Sequence, residues 1–236
     1  ARDGLSADML LAASIGLLAR DRADDVVRRM QRTAEGYGVG FHCSGIEEEG
    51  EAGLAVSYTI REEPPSTVSH AQALSTVSSM AGSLGSGGDL AGRILARIFE
   101  AESDAHRLPP EQVHLHEIGR PQALLNIAGM GLVVPMVAPP GERILCSTVT
   151  TGRGITVTSH GTMRIPAPAA AFLLRGLAHV PGDHPGERAT PTGLAAVSVI
   201  AHGHSDEPPA HASARSVGFG TKRFAGRLGR VVMTRS

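Results

Sequence analysis

The residues with the clearest chemical potential lie in one short segment, Val113-His114-Leu115-His116-Glu117. Side chains alternate along an extended chain, so His114 and His116 are predicted to face one side and Glu117 the other, unless the chain turns there. Two imidazoles on one face can bind a transition metal, or can work as an acid and a base. The segment is equally typical of a surface loop with two solvated histidines, so it leaves these roles open.

A further histidine, His160, is predicted at the end of a strand in Ser159-His160-Gly161. A metal site formed by histidines is normally completed by cysteine or a carboxylate, and Glu117 is the strongest candidate for that part. The histidines between residues 202 and 211 lie among Pro, Ser and Asp, which is typical of a solvated loop.

Three other segments contain the residue types that hold an anion. Arg153 lies in the turn Gly152-Arg153-Gly154, and Arg223, Arg227 and Arg230 cluster near the end of the chain. Thr190, Pro191, Thr192 and Gly193 are predicted to open a helix whose first N–H groups are free. Each segment could hold phosphate or carboxylate, and each is also typical of a turn, a solvated basic face or a capped helix.

The elements that position these residues mix helices and strands without strict alternation, which predicts an α+β fold with a mixed sheet packed with several helices. Leu11, Ile15, Ile94, Ile98 and Phe99 are the predicted core. Helices are predicted over 7–34, over 70–81, from an N-capping Asp89 onward, from Pro121, from Pro168 and from Pro191. Strands are predicted at 39–43 and 54–60 as a hairpin, at 143–151 and 154–159 as a second hairpin, and at 214–219 and 231–234.

Composition limits the classes of function. Hydrophobic residues make up 42% of the 236-residue chain, and its 22 basic and 23 acidic residues give a net charge of −1. A balanced charge and 3% aromatic residues disfavour nucleic acid as a partner. No apolar run is long enough for a membrane span, and two distant cysteines imply no disulfide framework, so a cytoplasmic protein is expected. Residues 1–236 are expected to form one region, with possible subdomains at 1–138 and 139–236.

The chain resembles the LarC family, nickel-insertion proteins that load nickel into the pincer nucleotide cofactor of lactate racemase. The resemblance rests on five motifs, in order: Gly4-Leu5-Ser6-Ala7-Asp8-Met9, Val113-His114-Leu115-His116-Glu117-Ile118-Gly119, His160-Gly161 followed by Pro166-Ala167-Pro168-Ala169, Thr190-Pro191-Thr192-Gly193, and Gly218-Phe219-Gly220-Thr221. It implies the N-terminal part of that family, without its C-terminal domain, and places Asp8 among the ligand-binding residues.

The chain departs from the family pattern after the second motif. Gln122 and Asn126 stand where the family has carboxylates, and Arg120 has entered the segment. An amide keeps the shape of the acid but loses the charge that offsets a divalent cation. We therefore expect any such cation to bind weakly here, and the pocket to prefer an anion held by Arg120 or Arg153.

These departures favour a family fold repurposed as a metal-independent acid–base enzyme of lyase, cyclase or isomerase type, acting on an anionic carboxylate or phosphate. Its predicted catalytic residues are His114, His116, Glu117 and His160, lining one pocket with Thr192 and Gly193, and no cofactor is expected. The alternative is a nickel-binding protein that handles the pincer cofactor, with the three histidines as metal ligands. A non-catalytic partner protein is a second alternative, and a homo-oligomer is compatible with all three.

Overall fold

The computed structural model describes residues 3–158 and 161–236. Its helices are α1 (Ala7–Gly16), α2 (Arg20–Glu35), α3 (His70–Leu84), α4 (Asp89–His106), α5 (Pro121–Val137), α6 (Pro168–Leu173) and α7 (Pro191–Ile200), with 3₁₀ turns at Pro110–Gln112 and Glu117–Gly119. Its strands are β1 (Val39–Glu48), β2 (Glu51–Ile60), β3 (Val68–Ser69), β4 (His114–Leu115), β5 (Leu145–Cys146), β6 (Val149–Arg153), β7 (Ile155–Thr158), β8 (Gly161–Arg164), β9 (His179–Pro185), β10 (Gly203–His204), β11 (Ala214–Phe224) and β12 (Arg227–Arg235). The α+β class is confirmed.

The main sheet has the strand order β1-β2-β11-β12. β1 and β2 form the predicted antiparallel hairpin, β11 and β12 form another, and the two hairpins meet where β2 runs parallel to β11. Helix α1 lies across β11, and the contact is so close that a Cβ at Gly218 would stand 1.9 Å from the Met9 carbonyl oxygen. Glycine at 218 thus brings the start of α1 directly against the sheet.

The single helix predicted over 7–34 is wrong, because the chain breaks between α1 and α2. Helix α1 is apolar on nearly every side and is buried, with Leu11 and Ile15 at 0% and 1% exposure. Helix α2 is charged and exposes one face. At the end of α1, a Cβ on Gly16 would lie 2.1 Å from Ser216 Oγ, so tight packing on the sheet, rather than periodicity, determines where α1 ends.

The second helical layer is formed by α3, α4 and α5 around the predicted core. Ile94, Ile98 and Phe99 on α4 are at most 1% exposed, so this part of the core prediction is confirmed. Asp89 is the first residue of α4 and not its cap, since Gly88, at φ +74°, occupies the capping position. Helix α5 is enclosed by α1, α3 and α4, which explains why it is apolar all round.

The predicted hairpin of 143–151 with 154–159 is wrong. β6 pairs in parallel with β9, and β7 pairs with β8. The glycines that suggested a hairpin turn serve a different contact, because a Cβ on Gly152 would lie 1.7 Å from the Gly186 carbonyl oxygen. In the described ranges no helix is long and apolar enough to cross a membrane. The division into two subdomains stays a prediction.

Candidate functional site

The site is built where the loop before α1 meets the loop before α7. The Leu5 N–H donates to the Arg188 carbonyl over 2.7 Å, and the Thr190 N–H donates to the Leu5 carbonyl over 2.8 Å. A Cβ on Gly193 would stand 2.8 Å from both the Leu5 carbonyl oxygen and the Ser6 Cα. These contacts fix the N-termini of two helices side by side, although about 180 residues separate them in the chain.

A cavity of about 90 Å³ opens at this junction. We call it the Asp8 pocket, and its polar lining includes Ser6, Asp8, Glu187, Arg188, Thr190 and Lys222. Its volume suits an ion with a few water molecules, or the charged end of a larger ligand.

Two carboxyl groups in the pocket have pKa values that burial raises. Burial raises the pKa of Asp8 above its usual value, and the nearby Ser6 and Lys222 only partly offset this. Burial also raises the pKa of Glu187, where the charge of Lys222 opposes the shift and the charge of Glu117 adds to it. Glu117 therefore lies close enough to Glu187 to act on it electrostatically, although it does not line the pocket.

The cationic side of the pocket is formed by Arg188 as well as Lys222. The guanidinium of Arg188 stacks over the Phe224 ring, with its Cζ 4.9 Å from the ring centroid. Its Nε is buried and has no hydrogen-bond partner within residues 3–158 and 161–236. A buried unpaired donor costs free energy, so an acceptor from a ligand would be stabilised there.

Close to Asp8, strand β2 contacts the N-terminal part of α5. The Tyr58 hydroxyl donates to Asn126 Oδ1 over 2.7 Å. Burial raises the pKa of Tyr58 well above its usual range, and the charges of Asp8 and Cys43 add to the effect. Gln122 lies one helical turn before Asn126, and its buried Oε1 has no partner in the described part of the chain. Whether acids at 122 and 126 would strengthen cation binding stays a prediction.

The histidine segment is extended only at its start. β4 pairs His114 with Ser69 and ends at Leu115, and the 3₁₀ turn begins at Glu117. The His114 side chain is exposed, with Nδ1 3.2 Å from the Gln112 carbonyl oxygen, while His116 is half-buried. Alternation therefore stops at His116, which is the turn that the sequence left open.

The structure brings some predicted site residues together and separates others. Asp8 and Thr190 line one pocket and Glu117 acts on it. The hydroxyl oxygens of Thr192 and Thr190 lie 3.2 Å apart. Gly193 packs closely against the backbone of Leu5 and Ser6. Arg120 and Arg153 are exposed and do not line the Asp8 pocket, and their predicted role in holding an anion stays a prediction.

His160 lies outside the described residues. Within the described ranges, no three His, Cys, Asp or Glu side chains are grouped so as to hold a metal ion. The predicted pocket shared by His114, His116, Glu117 and His160 with Thr192 and Gly193 stays a prediction.

The sequence reasoning missed Tyr58, Glu187, Arg188 and the importance of Lys222. One signal was present, because Lys222 is the only lysine in a chain that otherwise uses arginine, and it directly follows the motif at 218–221. The others lie in segments without a motif and became visible only through packing.

The basic cluster near the end of the chain faces the acidic turn between β1 and β2. Arg223 pairs with Glu48 at 2.6 Å and Arg227 with Glu49 at 2.9 Å. Arg230 pairs with Glu51 at 2.6 Å and with Asp3 at 3.0 Å. The arginines of this cluster form intramolecular ion pairs with acidic residues. These pairs account for a basic cluster that could otherwise hold an anion.

Comparison with known proteins decides the family. A family model described as "Nickel insertion protein" matches residues 1–234. The chain belongs to the nickel insertion protein family. This confirms the resemblance given by the five motifs.

Curated relatives agree. Proteins of Citrifermentans bemidjiense and Geotalea daltonii are 31% and 30% identical over 222 and 227 residues, which is 94% of this chain and 56% of each relative. One from Dictyoglomus thermophilum is 35% identical over 132 residues, or 56% of this chain and 34% of the relative. All three carry the name "Putative nickel insertion protein". The chain thus spans about half the length of the first two, and no solved structure matches it.

These findings overturn the first functional interpretation. A metal-independent acid–base enzyme was inferred from the loss of two carboxylates at Gln122 and Asn126, and it is wrong. The family and its relatives support the alternative, nickel insertion. The inference counted only the acids lost after the motif at 113–119, whereas Asp8 and Glu187 line a cavity formed by other segments.

Proposed function

We propose that this chain handles nickel as cargo, and that the Asp8 pocket is where the ion meets its organic acceptor. Family membership supports the nickel part of the proposal. The observation that carries the location is the convergence of Asp8 and Glu187 on one small cavity, with Glu117 near it.

A divalent cation would relieve the electrostatic strain in this pocket. Buried carboxylates with raised pKa values are destabilised in their charged form, and a cation between them restores the lost stabilisation. Among divalent first-row metals, nitrogen and oxygen ligands bind nickel more tightly than manganese, iron or cobalt.

The same pocket offers donors for an anionic acceptor. Arg188 has an unused N–H there, and Lys222 adds a second positive charge. An acceptor that carries a carboxylate-type or phosphate group could bind to these cations and present its metal-binding atoms to the ion. The two carboxylates fill only part of a nickel coordination sphere, so water or the acceptor would complete it.

Nickel titration of tag-free protein tests the proposal. Calorimetry at pH 7.5 should show nickel binding that weakens at least tenfold in Asp8→Asn and in Glu187→Gln. Asp24→Asn is the matched control, because Asp24 is exposed on α2 and does not line the pocket. The expected result is unchanged affinity in that control.

Two results would overturn the proposal. One is wild-type protein that binds no nickel at millimolar concentrations. The other is nickel binding that survives in both pocket variants, which would place the ion elsewhere.

A further inference from the structure

A second cavity, of about 310 Å³, opens at the opposite end of α7. We call it the Arg175 cavity, and its lining includes Arg97, Cys146, Arg175, Leu177, Ser198 and His204. Ser198 lies eight residues after Thr190, which puts the two sites about 12 Å apart along the helix. The volume falls at the lower end of the range for small-molecule sites.

Two guanidinium groups meet at this cavity on a single aromatic ring. The Cζ atoms of Arg97 and Arg175 lie 4.7 Å and 4.6 Å from the Phe172 ring centroid. Each group is also tethered by a carboxylate of α4, Arg97 by Glu100 at 2.7 Å and Arg175 by Asp104 at 3.5 Å. Ring and carboxylates together orient the two guanidiniums before any ligand arrives.

The ion pairs with Glu100 and Asp104 leave N–H donors of both arginines available for a ligand. A guanidinium has five N–H donors, and the contact of each arginine with its α4 carboxylate involves a single nitrogen. The two carboxylates are solvated, with side-chain exposures of 56% for Glu100 and 46% for Asp104, so water and salt screen their charge. Arg97 is only 26% exposed, whereas Arg175 is 65% exposed, and both arginines line the cavity.

The part of the cavity wall that β5 and β10 form is also held in place by hydrogen bonds. β5 and β10 run in parallel and pair Cys146 with His204, and both line the cavity. His204 Nε2 lies 3.1 Å from Thr148 Oγ1 and 3.3 Å from Asp206 Oδ2, which holds the ring in place. Asp206 in turn accepts the Thr148 N–H and hydroxyl over 2.8 Å and 2.7 Å. The wall is therefore preorganised and polar.

We infer that the Arg175 cavity binds a small organic anion through Arg97 and Arg175. Both arginines line the cavity, so an anion bound there is attracted by two positive charges. The planar fork of arginine matches carboxylate and phosphate oxygens. Leu177 offers an apolar surface for a carbon skeleton, and the volume exceeds what an isolated oxyanion would fill. This site is separate from the Asp8 pocket and does not depend on nickel.

Calorimetry at low salt with citrate and with ribose 5-phosphate tests the inference. Binding of either compound is the expected result, and which one binds more tightly separates carboxylate from phosphate recognition. Arg175→Gln and Arg97→Gln should each weaken binding at least tenfold. Arg93→Gln, an exposed arginine one turn earlier on α4, should leave it unchanged.

The two cysteines of the chain report where the compound binds. Cys146 lines the cavity, whereas Cys43 lies on β1 outside it. The bound anion should slow alkylation of Cys146 by iodoacetamide at least threefold and leave Cys43 unaffected. Absence of binding by both compounds at 10 mM would overturn the inference, and so would equal affinity in the arginine variants or unchanged Cys146 labelling.

Discussion

The two ends of α7 differ in charge and in construction. At the N-terminal end of α7, Asp8 and Glu187 line a cavity of about 90 Å³. At its C-terminal end, Arg97 and Arg175 line a cavity of about 310 Å³. The helix between them is mostly apolar, and six of its ten residues are buried. It therefore separates the two cavities, and the segments that flank it give each cavity its own lining.

The walls of the two sites are also made differently. Backbone meets backbone at the Asp8 pocket, where Gly193 and Gly218 allow contacts that any Cβ would block. Long side chains stacked on Phe172 form the Arg175 cavity. We expect the first site to be sensitive to backbone crowding and the second to side-chain truncation. The arginine variants described above test the second site, and the predictions below test the first site and its surroundings, in order of decreasing effect.

The largest effect is expected for Gly218→Ala. Its Cβ would meet the Met9 carbonyl oxygen at 1.9 Å and the Ala13 nitrogen at 2.6 Å, and neither backbone atom can move without shifting α1. Urea unfolding should show a loss of about 3 kcal/mol. Gly82→Ala is the control, because nothing lies within 4 Å of its Cβ, and it should be neutral or stabilising. Equal stability of both variants would mean that α1 does not pack this closely.

Asp8→Asn should stabilise the protein while it weakens nickel binding. Because burial raises the folded-state pKa of Asp8 above 3.8, the charged form costs stability at neutral pH. As pH falls through the raised pKa, the native state takes up the proton and that cost disappears. The Asp8→Asn substitution should therefore raise Tm at pH 7, by about 2–4 °C for each kcal/mol of charge-burial cost that it removes. This gain in Tm should become smaller as the pH is lowered.

The control for this measurement is again Asp24→Asn, whose Tm difference should not follow that pH dependence. A lower Tm for Asp8→Asn at pH 7 would contradict the prediction, since it would mean that the charged carboxylate stabilises the fold.

Lys222→Met should strengthen nickel binding by about fivefold at pH 8. The ammonium group competes with a divalent cation for the same carboxylates, as its lowering effect on the pKa values of Asp8 and Glu187 indicates. Lys222→Arg keeps the charge and should bind nickel like the wild type. Weaker nickel binding in the Met variant would contradict this prediction. It would indicate that Lys222 instead helps to hold the anionic acceptor of the ion.

The smallest effect is expected for Arg227→Ala, which lines neither cavity. Its ion pair with Glu49 is solvent-exposed, with side-chain exposures of 69% and 46%. Thermal unfolding should show a loss of about 0.5 kcal/mol, and high salt should abolish the difference. A loss above about 2 kcal/mol would show that the acidic turn needs this cluster to fold.

Much of the fold could be predicted from local pattern. The hairpin of β1 and β2 and the apolar face of α4 follow from alternation and from three- and four-residue spacing, which the backbone geometry imposes directly. The helix predicted over 7–34 and the hairpin at 143–159 were wrong where glycines serve close contacts with distant segments, at Gly16 and Gly152. A glycine in a sequence does not reveal which distant atom it makes room for.

The sequence by itself determined the family and singled out two residues that line the Asp8 pocket, Asp8 and Thr190, because both lie in motifs that can be recognised along the chain. Tertiary structure alone decided that Glu187 and Lys222 join them, and that the acidic turn neutralises the basic cluster near the end of the chain. Charge and burial act through space, and a linear sequence does not show which groups are within about 10 Å of one another. The pKa shift of Asp8, and with it the proposed affinity for a cation, exists only once α1 is packed on the sheet.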